Sequence, residues 1–112
     1  MRVENMVSPR TGEKVANQFI IEDGHKTVFQ SYDSTIVTLT DYKGYKTIVF
    51  GADWDYSRTT GKYRNAFLAE YARSFSDVKA IRKALADCKK FGQGYRETLN
   101  GTVYEIYFEE LQ

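Results

Sequence analysis

The sequence predicts an α+β fold: an antiparallel sheet of about five or six strands, with two central helices packed on one face. The strands come as an N-terminal meander and a C-terminal hairpin. Three observations lead there. Phe19 and Ile21 share a face at a spacing of two within a first 50 residues of short strand-like runs, and Tyr104, Ile106 and Phe108 alternate with Glu105, Tyr107 and Glu109 near the end, the period-two pattern of strands with one buried face. Between these parts, from Gly51 to Phe91, the apolar residues recur at helical spacing. Asp23-Gly24 and Asn100-Gly101 each sit between two expected strands, where such dipeptides form tight hairpin turns.

Residues 1–14 are polar and read as either a flexible lead-in to the domain or a clasp over it, with a turn at Ser8-Pro9-Arg10-Thr11-Gly12. Ala16–Glu22 is the first expected strand, with Phe19 and Ile21 on one face. Thr27–Tyr32 returns as the second, where Val28 and Phe29 compete for burial. The β-branched run Asp33–Thr40 forms another strand, Asp41-Tyr42-Lys43-Gly44 turns the chain, and Lys46–Phe50 pairs back. A loop at Asp53–Ser57 leads into a helix from about Thr59 to Arg73, with Ser57, Thr59 and Thr60 as candidate N-caps. Tyr63, Phe67 and Tyr71 share one face of it. Ser76 caps a second helix that runs to Phe91 before Gly92 and Gly94. Its stripe of Val78, Ile81, Leu85 and Cys88 opposes Lys79, Arg82, Lys83 and Lys90. In the last strand Tyr104, Ile106 and Phe108 alternate with Glu105, Tyr107 and Glu109.

With 112 residues the chain is expected to be a single domain, 1–112. A hydrophobic content of 42% with one proline argues against disorder. One cysteine cannot form an internal disulfide. No apolar run is long enough for a signal peptide or a membrane span, so no membrane partner and a cytoplasmic location are expected. Seventeen aromatics, 15% of the chain, make a homodimer through the sheet a reasonable expectation.

Charge is unevenly placed. From Ser57 to Arg96 there are 10 basic and 3 acidic residues, a balance of +7, whereas the rest of the chain has 6 basic and 12 acidic, a balance of −6. Lys62, Arg64, Arg73, Lys79, Arg82, Lys83, Lys89 and Lys90, with Tyr63 and Tyr71 interleaved, are the candidate nucleic-acid or partner-binding residues. Such a run of charge is by default a solvated surface; cations with aromatics also suit phosphate contact plus base stacking, and an acidic protein patch would satisfy the same groups. Catalytic signatures are missing: there is no glycine-rich phosphate loop, serine elbow or acidic dyad at helical spacing, so no enzyme and no cofactor are expected. His25 reads as a surface residue on a turn and Cys88 as a small core hydrophobe. Asp53 and Asp55 could face one cation if extended, but helix capping already accounts for them, and no metal is expected.

Ser8–Gly12, Val15-Ala16-Asn17-Gln18-Phe19, Phe29–Tyr32 with Ser34, and Asp53–Ser57 with Thr59, Thr60, Lys62, Phe67 and Leu68 form a recognisable set. On these residues the chain resembles small uncharacterised proteins carried by phages and plasmids of Gram-positive bacteria. The resemblance spans residues 8–68. It implies a mobile-element accessory gene and carries no catalytic residues with it. Small phage proteins without catalytic motifs are often inhibitors of host defence, anti-CRISPR proteins among them, and this is the leading expectation: a non-enzymatic inhibitor that meets a host defence nucleoprotein through its basic helices. The alternative is a small nucleic-acid-binding protein of phage replication or regulation.

Overall fold

The computed structural model describes all 112 residues. Seven strands form one sheet in the order β1-β2-β3-β4-β5-β7-β6, and two helices lie between β5 and β6 in the chain. The strands are β1 (Arg2–Val7), β2 (Lys14–Asp23), β3 (Lys26–Ser31), β4 (Ser34–Tyr42), β5 (Tyr45–Phe50), β6 (Gly94–Leu99) and β7 (Thr102–Phe108). The helices are α1 (Arg58–Tyr71) and α2 (Val78–Phe91), joined through a single 3-10 turn at Arg73–Phe75.

Two features of the sheet differ from expectation. Residues 1–14 are not a mere lead-in, because Arg2–Val7 forms an edge strand paired antiparallel with β2, from Arg2 opposite Glu22 to Val7 opposite Lys14. Its side chains are mostly exposed and only Met6 is buried. The pairing therefore rests on main-chain bonds, which leave no hydrophobic period to read. The second difference is the pairing of β5 with β7, which is parallel, from Tyr45 opposite Val103 to Phe50 opposite Phe108. A parallel neighbour needs a long crossover, and the segment holding α1, α2 and β6 supplies it. The C-terminal hairpin then joins the sheet by its second strand, so that β6 becomes the edge.

Local chemistry explains the tight connections. Lys43-Gly44 (φ 42° and 85°) and Asn100-Gly101 (φ 51° and 83°) both take the left-handed conformation of two-residue hairpin turns. Ser57 caps α1, its hydroxyl accepting the Thr60 N–H. The cap of α2 is Asp77, which accepts the Ala80 N–H at 2.8 Å, rather than Ser76. Ser76 instead donates its hydroxyl to the Arg73 carbonyl and closes the 3-10 turn.

The core lies in cross-strand rows. Phe29, Val37, Phe50 and Phe108 stand opposite one another across β3, β4, β5 and β7, and all four are fully buried. Phe67 of α1 stacks on Phe29 at 6.0 Å, and Trp54 sits edge-on to Phe50 and Phe108. From α2, Cys88 is buried and its thiol donates to the Ile106 carbonyl. Burial pushes that thiol up to about 11. In the alternate row Val3 is exposed, while Ile21, Val28, Thr38, Val49 and Tyr107 are half-buried. The competition between Val28 and Phe29 thus resolves in favour of Phe29. A bulge in β4 lets consecutive Ile36 and Val37 both reach the interior.

Gly51 ends β5 where the sheet leaves no room for a side chain: a Cβ there would lie 2.1 Å from the Thr35 carbonyl oxygen. Gly51→Ala is expected to cost about 3 kcal/mol, since rigid backbone must move, and to lower the melting temperature by roughly 10 °C. An unchanged melting curve would show that the approach of β4 to residue 51 is not a constraint.

The seam between β5, β7 and β6 carries a polar knot. Glu105 accepts from the Tyr107 hydroxyl at 2.6 Å, from the Tyr45 hydroxyl and from the Arg96 guanidinium at 2.9 Å. These donors hold its carboxyl down to about 2, from 4.5. A depressed folded-state pKa stabilises fully above the unfolded value and loses that stability as pH falls. Wild-type stability should therefore decline between pH 4.5 and about 2 more steeply than that of Glu105→Gln. Parallel acid-unfolding curves for the two proteins would contradict this.

Candidate nucleic-acid interface

The loop between β5 and α1 is fixed by an arginine turned inward. Arg64 is 2% exposed. Its guanidinium donates to the Trp54 carbonyl at 2.7 Å, twice to Asn65 Oδ1 at 3.1 and 2.9 Å, and to Asp55 Oδ1 at 3.4 Å. It also lies 5.5 Å from the Trp54 ring centre, close enough for a cation–π contact. Burial pulls its pKa below the usual arginine value, with Asp55 opposing the shift. Trp54 is anchored in turn by its indole N–H, which donates to Glu110 at 2.9 Å. Asp55 reaches across to α2, where Arg82 donates to its second oxygen at 3.2 Å.

Above this arginine runs a shallow groove between the N-terminal halves of α1 and α2. Arg58 and Lys62 line it from α1, Arg82 from α2, and Arg64 with Asn65 forms its floor. Arg58, Lys62 and Arg82 are exposed, and only Arg82 has a carboxylate partner, Asp55. The groove therefore presents three accessible cations against one acidic group. A second cavity, of about 540 Å³, adjoins the N-terminus of α1. It is lined by hydroxyls of β3, β4 and α1, by Asp33 and Asp53, and by the exposed rings of Tyr32 and Tyr56. Ser57 lines both hollows.

The structure divides the residues singled out by charge. Lys62, Arg64 and Arg82 meet at the groove, but Arg64 belongs to its floor and makes no open contact surface. Tyr63 is 5% exposed and packs in the core, so it is not available for stacking. It falls on the same helical face as Phe67. Tyr71 is half-buried against Phe67 at the far end of α1, and burial raises its hydroxyl pKa. Lys79 and Lys83 are exposed on α2 beside the groove without lining it, and Lys83 pairs with Asp87 at 3.1 Å. Arg73 lies on the 3-10 turn, and Lys89 and Lys90 occupy the last turn of α2. Arg58, omitted from the candidate set, lines the groove; its position at the first turn of α1, four residues before Lys62, was the available signal. Asp53 and Asp55 take separate partners, Ser34 and the two arginines respectively. His25 is exposed at its turn with its ring 4.4 Å from that of Tyr42.

Residues 1–84 match the model of a family of unknown function, DUF8033. The chain belongs to that family. The DUF8033 span contains residues 8–68, on which the resemblance rested, and takes in Arg58, Lys62, Arg64 and Arg82; it ends within α2, before Lys89 and Lys90. No curated protein and no solved structure matches the chain significantly. No helix is long and apolar enough to cross a membrane.

Truncating the buried arginine tests the frame of this DUF8033 site. Arg64→Met should destabilise by about 2–4 kcal/mol, because the Trp54 carbonyl and the Asn65 side chain lose their donors. Urea unfolding measures it. A loss under about 0.5 kcal/mol, the usual range of a surface change, would mean the frame stands without Arg64.

Proposed function

We propose that the protein is a non-catalytic binding module that grips the phosphate backbone of a nucleic acid, free or within a nucleoprotein, in the groove between α1 and α2. One observation carries the reading. Two helices bring Arg58, Lys62 and Arg82 to a single concavity, over a buried arginine that already consumes most of the local acceptors. Cations held in such a groove would displace the counterions condensed on a phosphate chain, and their release favours association. The contacts of α1 with β3 and β4, and of α2 with β6 and β7, give the groove a stiff support. An anti-defence inhibitor of a phage or plasmid, the setting implied by the resemblance, would use this groove on the guide or target strand of a defence nucleoprotein. A free nucleic acid in replication or regulation would meet the same cations.

Binding of a labelled single strand, followed by fluorescence anisotropy, should weaken steeply with salt. Lys62→Glu combined with Arg82→Glu should weaken it by roughly a hundredfold at low salt, two phosphate contacts becoming repulsive. Lys89→Glu with Lys90→Glu should have a clearly smaller effect. Equal effects of the two pairs would disprove the groove as the contact, and tight binding insensitive to salt would disprove the backbone reading.

A further inference from the structure

We propose that the hydroxyl-lined cavity at the N-terminus of α1 receives one nucleoside of the bound strand and makes the protein favour RNA over DNA. The inference rests on the groove reading above and deepens it. Continuity is the first argument: Ser57 lines both hollows, and the next residue, Arg58, belongs to the groove. A phosphate seated against Arg58 thus has its own sugar and base beside the cavity mouth.

Polarity sets the direction of the strand's parts. No lysine or arginine lines the cavity, and Asp33 and Asp53 do. Carboxylates repel phosphate, so the backbone is steered to the groove while donor groups enter the cavity. Asp53 uses one oxygen to accept from Ser34 at 3.0 Å and makes no hydrogen bond with its other. Ser31, Ser57 and Thr60 form a linked hydroxyl chain at 3.1–3.2 Å. Acceptors and hydroxyls of this kind suit ribose hydroxyls and base amino groups, and the 2′-hydroxyl is what separates RNA from DNA. A volume of about 540 Å³ is of the size that holds a single small ligand.

Stacking surfaces stand at the rim. Tyr32 is 60% and Tyr56 76% exposed, and flat rings left in solvent beside a polar cavity suit an unstacked base. Tyr32 also holds an uncommon backbone. Its φ is +54° in the two-residue turn between Ser31 and Ser34, a region that disfavours a bulky side chain and is retained where surroundings enforce it. Enforcement is visible: the Tyr32 N–H donates to the Asn17 carbonyl at 2.7 Å, and Gln30 donates to the Tyr32 carbonyl at 2.7 Å. The comparable turns Lys43-Gly44 and Asn100-Gly101 contain the glycine such turns prefer. At Tyr32 the ring is kept despite the strain, over a cavity.

The test compares single-stranded RNA and DNA of matched sequence, about 10 nucleotides long, by fluorescence anisotropy against the whole chain. The wild type should bind the RNA at least several-fold more tightly. Tyr32→Gly and Tyr56→Ala should each weaken RNA binding by roughly tenfold, the scale of one lost stacking ring, and bring RNA close to DNA. Tyr32→Gly removes the ring while relieving the turn, so its melting temperature should hold or rise; its lost affinity then cannot be put down to unfolding. Equal binding of RNA and DNA by the wild type, or RNA affinity untouched in both tyrosine variants, would overturn the nucleoside cavity while leaving the groove intact. Failure of the wild type to bind either strand would remove the groove reading and this inference together.

Discussion

A cation in the interior is costly unless its donors are met, and the fold around Arg64 is arranged to meet them. The Trp54 carbonyl, the Asn65 side chain and Asp55 take the guanidinium from three directions. Two of these acceptors have a second task. Trp54 packs its ring against Phe50 and Phe108 and its indole reaches Glu110, so the arginine is tied to the sheet and to the residues after β7. Asp55 shares its carboxylate with Arg82, which ties the loop to α2. The loop that would otherwise swing between sheet and helix is thereby held at both ends.

This arrangement also separates the molecule electrically. Arg64 absorbs much of the negative charge near the start of α1, and the outward cations Arg58 and Lys62 are left without carboxylate partners. On the other side of Ser57, Asp33 and Asp53 keep a cavity free of basic residues. A single helix start thus divides a basic hollow from an acidic one. A small domain gains direction from such a boundary, because an extended polyanion can lie across it in few ways.

How much of this was readable beforehand depended on whether the cause was local. The turns at Lys43-Gly44 and Asn100-Gly101, the alternation in β7 and the apolar stripe of α2 are decided by neighbours in sequence, and the sequence shows them. The strand Arg2–Val7 is decided by an edge opposite, and the parallel partner of β5 by how far the two helices carry the chain. Neither leaves a period to detect. Arg64 misleads for a different reason: a charged residue reads as exposed, and its burial becomes visible only once Trp54 and Asp55 are seen to surround it. The cavity draws on β3, β4, the loop before α1 and α1 itself, so no spacing within one segment could announce it. Even the cap of α2 falls to Asp77 over Ser76 because the 3-10 turn claims the serine hydroxyl first.

Cys88 gives the fold an internal clock. Its thiol is fully buried between α2 and β7, protonated at neutral pH, and the sole sulfhydryl in the chain. A thiol reagent can therefore reach it only when α2 lifts from the sheet. The rate of its alkylation under native conditions reports how often that happens, one helix at a time. Because α2 forms one wall of the basic groove, the same rate measures how long the groove keeps its shape between openings.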